Sequence, residues 1–350
     1  MKASAHLVVM AGGSGTRFWP KSTALRPKQL LSFGENPPLI IQTLDRFNGV
    51  VETKNRWIAT TELLEPEIRK MVSKDVRILA EPQGRNTAPC IYWAAREIQK
   101  VDSKAIMLVM PSDHYIPREE DFRATVQSTI DWAEKHDDLV TLGVAPTRPE
   151  TGYGYLKLAS SAAAGAQKLE AFVEKPSLEK AKEFLTSGRY LWNGGMFIWR
   201  VGVILAAFDQ AMPEMKKAWE SSGGDIQSAY PKFTATSIDY GVMEKAKNAV
   251  TFKLDCGWDD LGSWTSLENL ADALHARHKA GVVTAGECLA IDSTGNIVDA
   301  PSKTVALLGV DDLIVVESGN SILVARKDRA QDIRKIVELL NSKPNAKRSN

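Results

Sequence analysis

VVMAGGSGTRFWPKSTALRPK, residues 8–28, is the stretch on which the reading of the whole chain turns. A short apolar run at 7–10 leads straight into Gly12, Gly13 and Gly15, so the backbone can turn sharply and offer bare N–H groups to an anion. Arg17 and Lys28 then add two fixed cations. Amides and cations aimed at one point stabilise anionic oxygens that water would otherwise solvate, which suits a phosphate-rich ligand. Three familiar glycine loops do not fit. A Walker loop needs Gly-Lys followed by Ser or Thr, a dinucleotide fingerprint needs a third glycine where Phe18 stands, and a nucleophile elbow needs glycine where Thr16 stands.

The 350 residues allow one large domain and a small one. With 44 basic and 43 acidic side chains, a broad electrostatic surface for nucleic acid or anionic membrane is not expected, and an anion site must be local. The longest apolar runs, such as 201–208, are far short of the roughly 20 residues that span a bilayer. The N-terminus does not read as a signal peptide. Cys90, Cys256 and Cys288 are odd in number and far apart, so neither a disulfide framework nor a zinc site is expected, and the setting is read as cytoplasmic. His275 and His278, three apart on an expected helix, read as a solvated face.

Beyond the loop, apolar strands alternate with helical segments. Helices are expected at 39–47, 63–72, from Asn86 onward with Ala88, Ile91, Ala95 and Ile98 on one face, and at 122–134. Strands are expected at 56–59, 76–80, 105–110 and 139–144. The alternation predicts an α/β fold with a parallel, doubly wound sheet, in which a ligand lies at the carboxyl ends of the strands. Four polar motifs follow such ends: the glycine loop, Glu81-Pro82-Gln83-Gly84-Arg85-Asn86-Thr87, Pro111-Ser112-Asp113-His114, and residues 257–264. From Tyr153 the pattern becomes antiparallel (154–158, 168–173, 190–199), read as an insertion that closes over the sheet as a lid. Between 281 and 326 short β-prone runs recur at 282–284, 288–291, 305–308, 313–317 and 321–324. A helix at 328–340 and a frayed tail at 343–350 end the chain. The expected domains are 1–275 and 281–342.

Asp113 and Asp260 each follow a strand, and two carboxylates meeting at one sheet edge would hold Mg²⁺, a cation that prefers oxygen ligands and keeps waters for phosphate to replace. No Ser-His or Cys-His pair stands out. Transfer between two polyanions needs alignment and charge neutralisation rather than a protein nucleophile.

The pattern GGxGTR, then a proline, then Pro-Lys, here Gly12 to Arg17, Pro20 and Pro27-Lys28, resembles the sugar nucleotidyltransferases. Phe18-Trp19-Pro20 and Arg26-Pro27-Lys28-Gln29 are most similar to the mannose-1-phosphate guanylyltransferases, the GDP-mannose pyrophosphorylases. The resemblance continues in family order over about residues 7–270, through Arg85-Asn86-Thr87-Ala88-Pro89, Pro111 to His114, Phe172 to Pro176, Trp192 to Phe197, Ser237 to Lys245 and Trp258 to Trp264. It implies a Rossmann-like nucleotidyltransferase domain with a small C-terminal left-handed β-helix domain. It also implies transfer of GMP from GTP to α-D-mannose 1-phosphate, a step of GDP-mannose biosynthesis, with Mg²⁺ as cofactor. The residues implied for nucleotide binding are Gly12, Gly13, Gly15, Thr16, Arg17, Lys28, Glu81, Arg85, Asn86, Thr87, Ser112 and Asp113, with Glu81 a candidate reader of guanine. Those implied for the sugar phosphate are Gly154, Glu174, Lys175, Asn193 and Asp260. Arg17, Lys28, Asp113, Lys175 and Asp260 carry the catalytic roles, and Asp113 and Asp260 hold the metal.

Three departures stand out. Lys21 replaces a leucine and Thr23 follows Ser22 in place of arginine. Gly194 stands where serine is common, which loosens a sugar contact. Longer relatives continue into an isomerase domain, so no phosphomannose isomerase activity is expected of this chain. The rival readings are another pair, such as glucose 1-phosphate with UTP or dTTP, and a catalytically silent regulatory subunit that binds a nucleotide sugar. The C-terminal β unit is the expected contact of a homodimer.

Overall fold

The computed structural model describes residues 3–13, 15–159 and 165–342; the tail expected at 343–350 lies outside the described residues. The chain folds as two compact units, each assembled from separate stretches. The first comprises Met1–Gly12, Leu44–Pro111 and Arg118–Trp258, and the second Gly13–Thr43, Ser112–Pro117 and Asp259–Asn350.

The first unit is built on β1 (Ala5–Met10), β2 (Arg56–Thr61), β3 (Arg77–Glu81), β4 (Ile106–Pro111), β5 (Leu139–Val144), β6 (Gly154–Leu158), β7 (Ala166–Glu174), β8 (Tyr190–Arg200) and β9 (Ala249–Leu254). They form one sheet in the order β3-β2-β1-β4-β8-β5-β9-β7-β6. The first four strands pair in parallel, and so do β5 and β9. The strands expected to be parallel do run the same way, but the sheet is mixed, because β8, expected in the insertion, runs antiparallel between β4 and β5. Its neighbouring residues Phe197, Ile198 and Trp199 are all buried, and successive side chains point to opposite faces, so β8 needs cover on both sides.

The lid expectation is corrected too. β6 pairs with both β7 and β8, and β7 with β9, so these segments continue the main sheet and close a ring of pairings β8-β5-β9-β7-β6. Tyr155 and Leu156 of β6 have no exposed surface. The helix Thr87–Val101 buries Ala88, Ile91, Ala95 and Ile98, the face its spacing predicts, in one cluster with Val8, Trp57, Met107 and Val109 of the sheet. The helix Glu119–Ala133 starts three residues before its apolar pattern does. Glu119, Glu120 and Asp121 occupy its first turn, where negative charge offsets the helix dipole.

Strands β1, β3, β4 and β9 run the same way, so their carboxyl ends share one edge of the sheet. Each hands the chain on to one of the four polar motifs.

The second unit carries β10 (Arg277–His278), β11 (Gly281–Ile291), β12 (Asn296–Leu308), β13 (Leu313–Ser318) and β14 (Ser321–Arg326), hydrogen-bonded in that order. β11, β12 and β13 are parallel although their connections are far shorter than the dozen or more residues that a crossover in a flat sheet requires. Short turns between parallel strands mean stacked coils, the arrangement of a β-helix. Val282, Ile297, Ile314 and Val316 fill its core together with Phe18, Phe33 and Trp264. The first half of β12 is missing from the expected strand at 305–308, because Asp299 and Pro301-Ser302-Lys303 interrupt the apolar pattern. Asp299 is nonetheless buried, with Lys21 Nζ 2.5 Å from its Oδ1, an ion pair and not an aligned hydrogen bond. The lysine that departs from the family's leucine is therefore a strut between the glycine-loop segment and β12. A 3-10 stretch, Lys327–Asp332, precedes the terminal helix Ile333–Asn341.

Candidate active site

The second unit gathers one set of the expected residues. Gly15 has a left-handed φ of +57°, and a Cβ there would lie 2.5 Å from the backbone N of Lys28, so the turn admits only glycine. The side chain of Gln29 clips the loop by donating to the carbonyl of Gly13 at 3.0 Å. Phe18 is buried against Phe33 and Trp264, which anchors the 3-10 turn Thr16–Phe18 and leaves Arg17 exposed beside it, 3.4 Å from the carbonyl of Gly262. Lys28 is buried. Its Nζ donates to the main-chain oxygen of Asp260 at 2.5 Å and pairs with Asp113 Oδ2 at 2.9 Å. A single cation thus joins the two segments that carry the expected metal carboxylates. Tyr115 and Asp259 exchange backbone hydrogen bonds of 2.9 and 3.0 Å, which fixes those segments side by side.

Burial alone would push the Asp113 carboxyl up, but the charge of Lys28, with that of His114, outweighs it and holds the group below the usual carboxylate value. An open pocket of about 400 Å³ is lined by Gly15, Thr16, Arg17, Lys28, Asp113, His114, Asp260, Gly262 and Arg334, among others. Leu261, at a φ of +48°, holds the backbone between Asp260 and Gly262 in the strained left-handed region. Ser112 is buried next to Asp113. Among the described residues no cluster of three or more His, Cys, Asp or Glu side chains is set to hold a metal alone. Two carboxylates in one pocket do suit a Mg²⁺ that keeps its waters and takes phosphate oxygens as further ligands.

The first unit holds two further groups. At the end of β3, Glu81 is buried, accepts a hydrogen bond from the Tyr230 hydroxyl, and sets its other oxygen against Gly12, where a Cβ would lie at 3.2 Å. Arg85 donates to the carbonyl of Phe233 at 2.7 Å. Asn86, at a φ of +66°, caps the helix Thr87–Val101, while the Thr87 hydroxyl accepts from the backbone N of Ile238 at 2.9 Å. Burial pushes the Glu81 carboxyl up to about 7, the Tyr230 hydrogen bond opposing it.

An acid whose folded value lies above its unfolded value favours the folded state most when protonated. The stability it contributes is present below about 4.5 and is lost as pH rises through about 7. The expected cost across that window is on the order of 3 kcal/mol. Denaturation midpoints of the ligand-free protein should therefore fall between pH 5 and 8 more steeply than those of Glu81→Gln. Equal slopes would contradict the assignment.

In the second group, Lys175 pairs with Glu174 at 2.9 Å, and the Glu174 carboxylate occupies the space a side chain at Gly154 would need. Lys175 sits at a φ of +45°. Hydrogen bonding to Glu174 raises its ammonium above the usual value. Asn193 donates to Asp239 at 3.0 Å and accepts from the Thr141 hydroxyl at 3.0 Å and the backbone N of Gly195 at 3.2 Å, so its amide orientation is fixed. Gly194 has its own reason. A Cβ there would stand 2.9 Å from the carbonyl oxygen of Leu142, so serine does not fit this backbone unshifted.

Three residues absent from the expected set emerge. Asp239 faces Asn193, and burial, then the Glu174 charge, raises its carboxyl to about 6. It lies in the Ser237-Ile238-Asp239-Tyr240 motif, so a signal existed. Tyr230 and Arg334 carry none, because only the fold brings them to Glu81 and to the pocket.

Comparison with known proteins places the chain. The nucleotidyl transferase family model matches residues 6–277, and a model described as MannoseP isomerase/GMP-like beta-helix domain matches 286–340. Mannose-1-phosphate guanylyltransferase of Escherichia coli (strain K12) is 36% identical over 356 residues, covering 96% of this chain and 73% of that protein. Mannose-1-phosphate guanylyltransferase ManC of Salmonella typhimurium (strain LT2) is also 36% identical, with the same coverage of 96% and 73%. A crystal structure described as that of mannose-1-phosphate geranyltransferase from Thermus thermophilus superposes with a TM-score of 0.89 at 34% identity, covering 98% of this chain and 100% of that one. Among the described residues no helix is long and apolar enough to cross a membrane. With a β-helix domain following a nucleotidyltransferase domain, and with relatives of this identity over nearly its whole length, the chain belongs to the nucleotidyl transferase family, in the group of the mannose-1-phosphate guanylyltransferases.

Proposed function

We propose that the protein transfers GMP from GTP to α-D-mannose 1-phosphate, giving GDP-mannose and pyrophosphate. The observation that carries this reading is the pocket in which Arg17 and Lys28 stand with Asp113 and Asp260. In the proposed step a phosphate oxygen of the sugar 1-phosphate attacks the α-phosphorus of GTP. The bond from that phosphorus to the bridging oxygen of the β-phosphate breaks, and pyrophosphate leaves with the electron pair. No protein nucleophile is required.

In this scheme Arg17 and the N–H groups of the glycine loop bind the triphosphate. Lys28 sets Asp113 and Asp260 in register and adds its charge. Lys175 binds the incoming sugar phosphate, while Glu174, Asn193 and Gly154 take the sugar. Glu81, Arg85, Asn86 and Thr87 take the nucleobase end. A divalent metal, which we assign as Mg²⁺ at Asp113 and Asp260, supplies charge neutralisation on the phosphates when bound. On this reading residues 1–275 are the catalytic domain and 281–342 the β-helix domain with its terminal helix. Exposed Leu289, Ile291, Leu308, Ile322 and Val324 support a homodimer through the latter. A monomer at every concentration in sedimentation velocity would remove that part. The three free cysteines agree with a cytoplasmic setting.

The test is pyrophosphate release with Mg²⁺, crossing GTP, UTP, dTTP and ATP with mannose 1-phosphate and glucose 1-phosphate. Release chiefly with GTP and mannose 1-phosphate is the expected result. Preference for another pair would overturn the substrates, and no release with any pair would overturn the reaction.

A further inference from the structure

Arg334 lies in the stretch matched by the β-helix domain, far in sequence from every motif above, yet it lines the pocket of Arg17, Lys28, Asp113 and Asp260. Its position is fixed by its neighbour. Ile333 is 2% exposed and belongs to the apolar cluster of Phe18 and Trp264, so the helix Ile333–Asn341 packs on the turn Thr16–Phe18 that carries Arg17.

The charge pattern around it is informative. Five cations stand between 326 and 335. Arg326 pairs with Asp328, Lys327 with Glu268 and Asp312, and both Arg329 and Lys335 with Asp332. Among the described residues Arg334 makes no ion pair. It is thus the cation of this stretch whose charge is left to the pocket, where Lys28 is already engaged by Asp113. An arginine presents a planar fork of donors that matches phosphate oxygens two at a time, and it carries its charge at any working pH.

We infer that Arg334 is a substrate-binding residue for the β- and γ-phosphates of the nucleoside triphosphate, and so for the pyrophosphate they become. The terminal helix thereby supplies a cation to the nucleotide pocket. The inference rests on the proposed nucleotidyl transfer for its substrate, but its chemistry is that of polyphosphate binding.

Two measurements test it. The first is calorimetric binding of inorganic pyrophosphate, with Mg²⁺, to the intact protein and to Arg334→Ala, Arg334→Lys and Lys335→Ala; it does not depend on turnover. Arg334→Ala should bind about tenfold more weakly, Arg334→Lys in between, and Lys335→Ala as the unaltered protein does. The second is initial rates in both directions. For Arg334→Ala the KM for GTP and for pyrophosphate should rise about tenfold, with KM for mannose 1-phosphate and for GDP-mannose unchanged. Equal pyrophosphate affinity in Arg334→Ala, or a rise shared by all four KM values, would overturn the assignment. Absence of turnover in the unaltered protein would overturn the proposed reaction alone, since pyrophosphate binding still decides the role of Arg334.

Discussion

Lys28→Met is expected to lower kcat/KM for GTP by at least a hundredfold. Lys28 is buried, bonds to Asp113 and to the Asp260 carbonyl, and its charge holds the Asp113 carboxyl below the usual carboxylate value. On the proposed reaction, removing it takes away a cation of the phosphate pocket, and loss of a preorganised stabiliser costs on the order of 10²–10³ in rate. It also frees two segments that must hold their carboxylates together, and a misplacement of about 1 Å can cost a comparable factor. Lys28→Arg should not rescue fully, because a planar fork cannot take the place of a compact ammonium between a carboxylate and a carbonyl. Steady-state kinetics, with circular dichroism to establish that the variant is folded, makes the check. A folded Lys28→Met with kcat/KM within tenfold of the unaltered protein would contradict the role.

Lys21→Met is expected to destabilise the protein by about 3–5 kcal/mol, because it strands the buried carboxylate of Asp299. An isolated buried charge costs far more than a missing ion pair. The distinguishing variant is therefore Lys21→Met with Asp299→Leu, which removes both charges and should be more stable than Lys21→Met alone. Denaturant midpoints of the two variants provide the comparison. Equal loss in the single and the double variant would show that packing, and not the stranded charge, sets the cost.

Much of this site was legible in the sequence because each motif carries its own local physics. Three glycines after an apolar strand can only turn, and the buried run of β4 ending in Pro111-Ser112-Asp113 places a carboxylate at a strand end without reference to the rest of the fold. What stayed hidden depends on partners distant in the chain. The central place of β8 is not written in its apolar pattern, since a strand's own residues do not say which strands it lies between. The lid reading failed for the same reason: β6 and β7 look antiparallel locally, and only their pairing with β8 and β9 shows that they extend the main sheet. Lys21 stood out in the sequence only as a departure from leucine, and its partner, Asp299, lies 278 residues away. Tyr230 on Glu81 and Arg334 in the pocket are of the same kind.

The most direct measurement of the central claim follows the phosphorus atoms. Unaltered protein is incubated with mannose 1-phosphate, Mg²⁺ and GTP labelled either at the α- or at the γ-phosphate, beside an Asp113→Asn control. The account predicts α-label in GDP-mannose and γ-label in pyrophosphate in equal amounts, with both lost in the control. Label released as orthophosphate, or α-label that never joins the sugar, would contradict it.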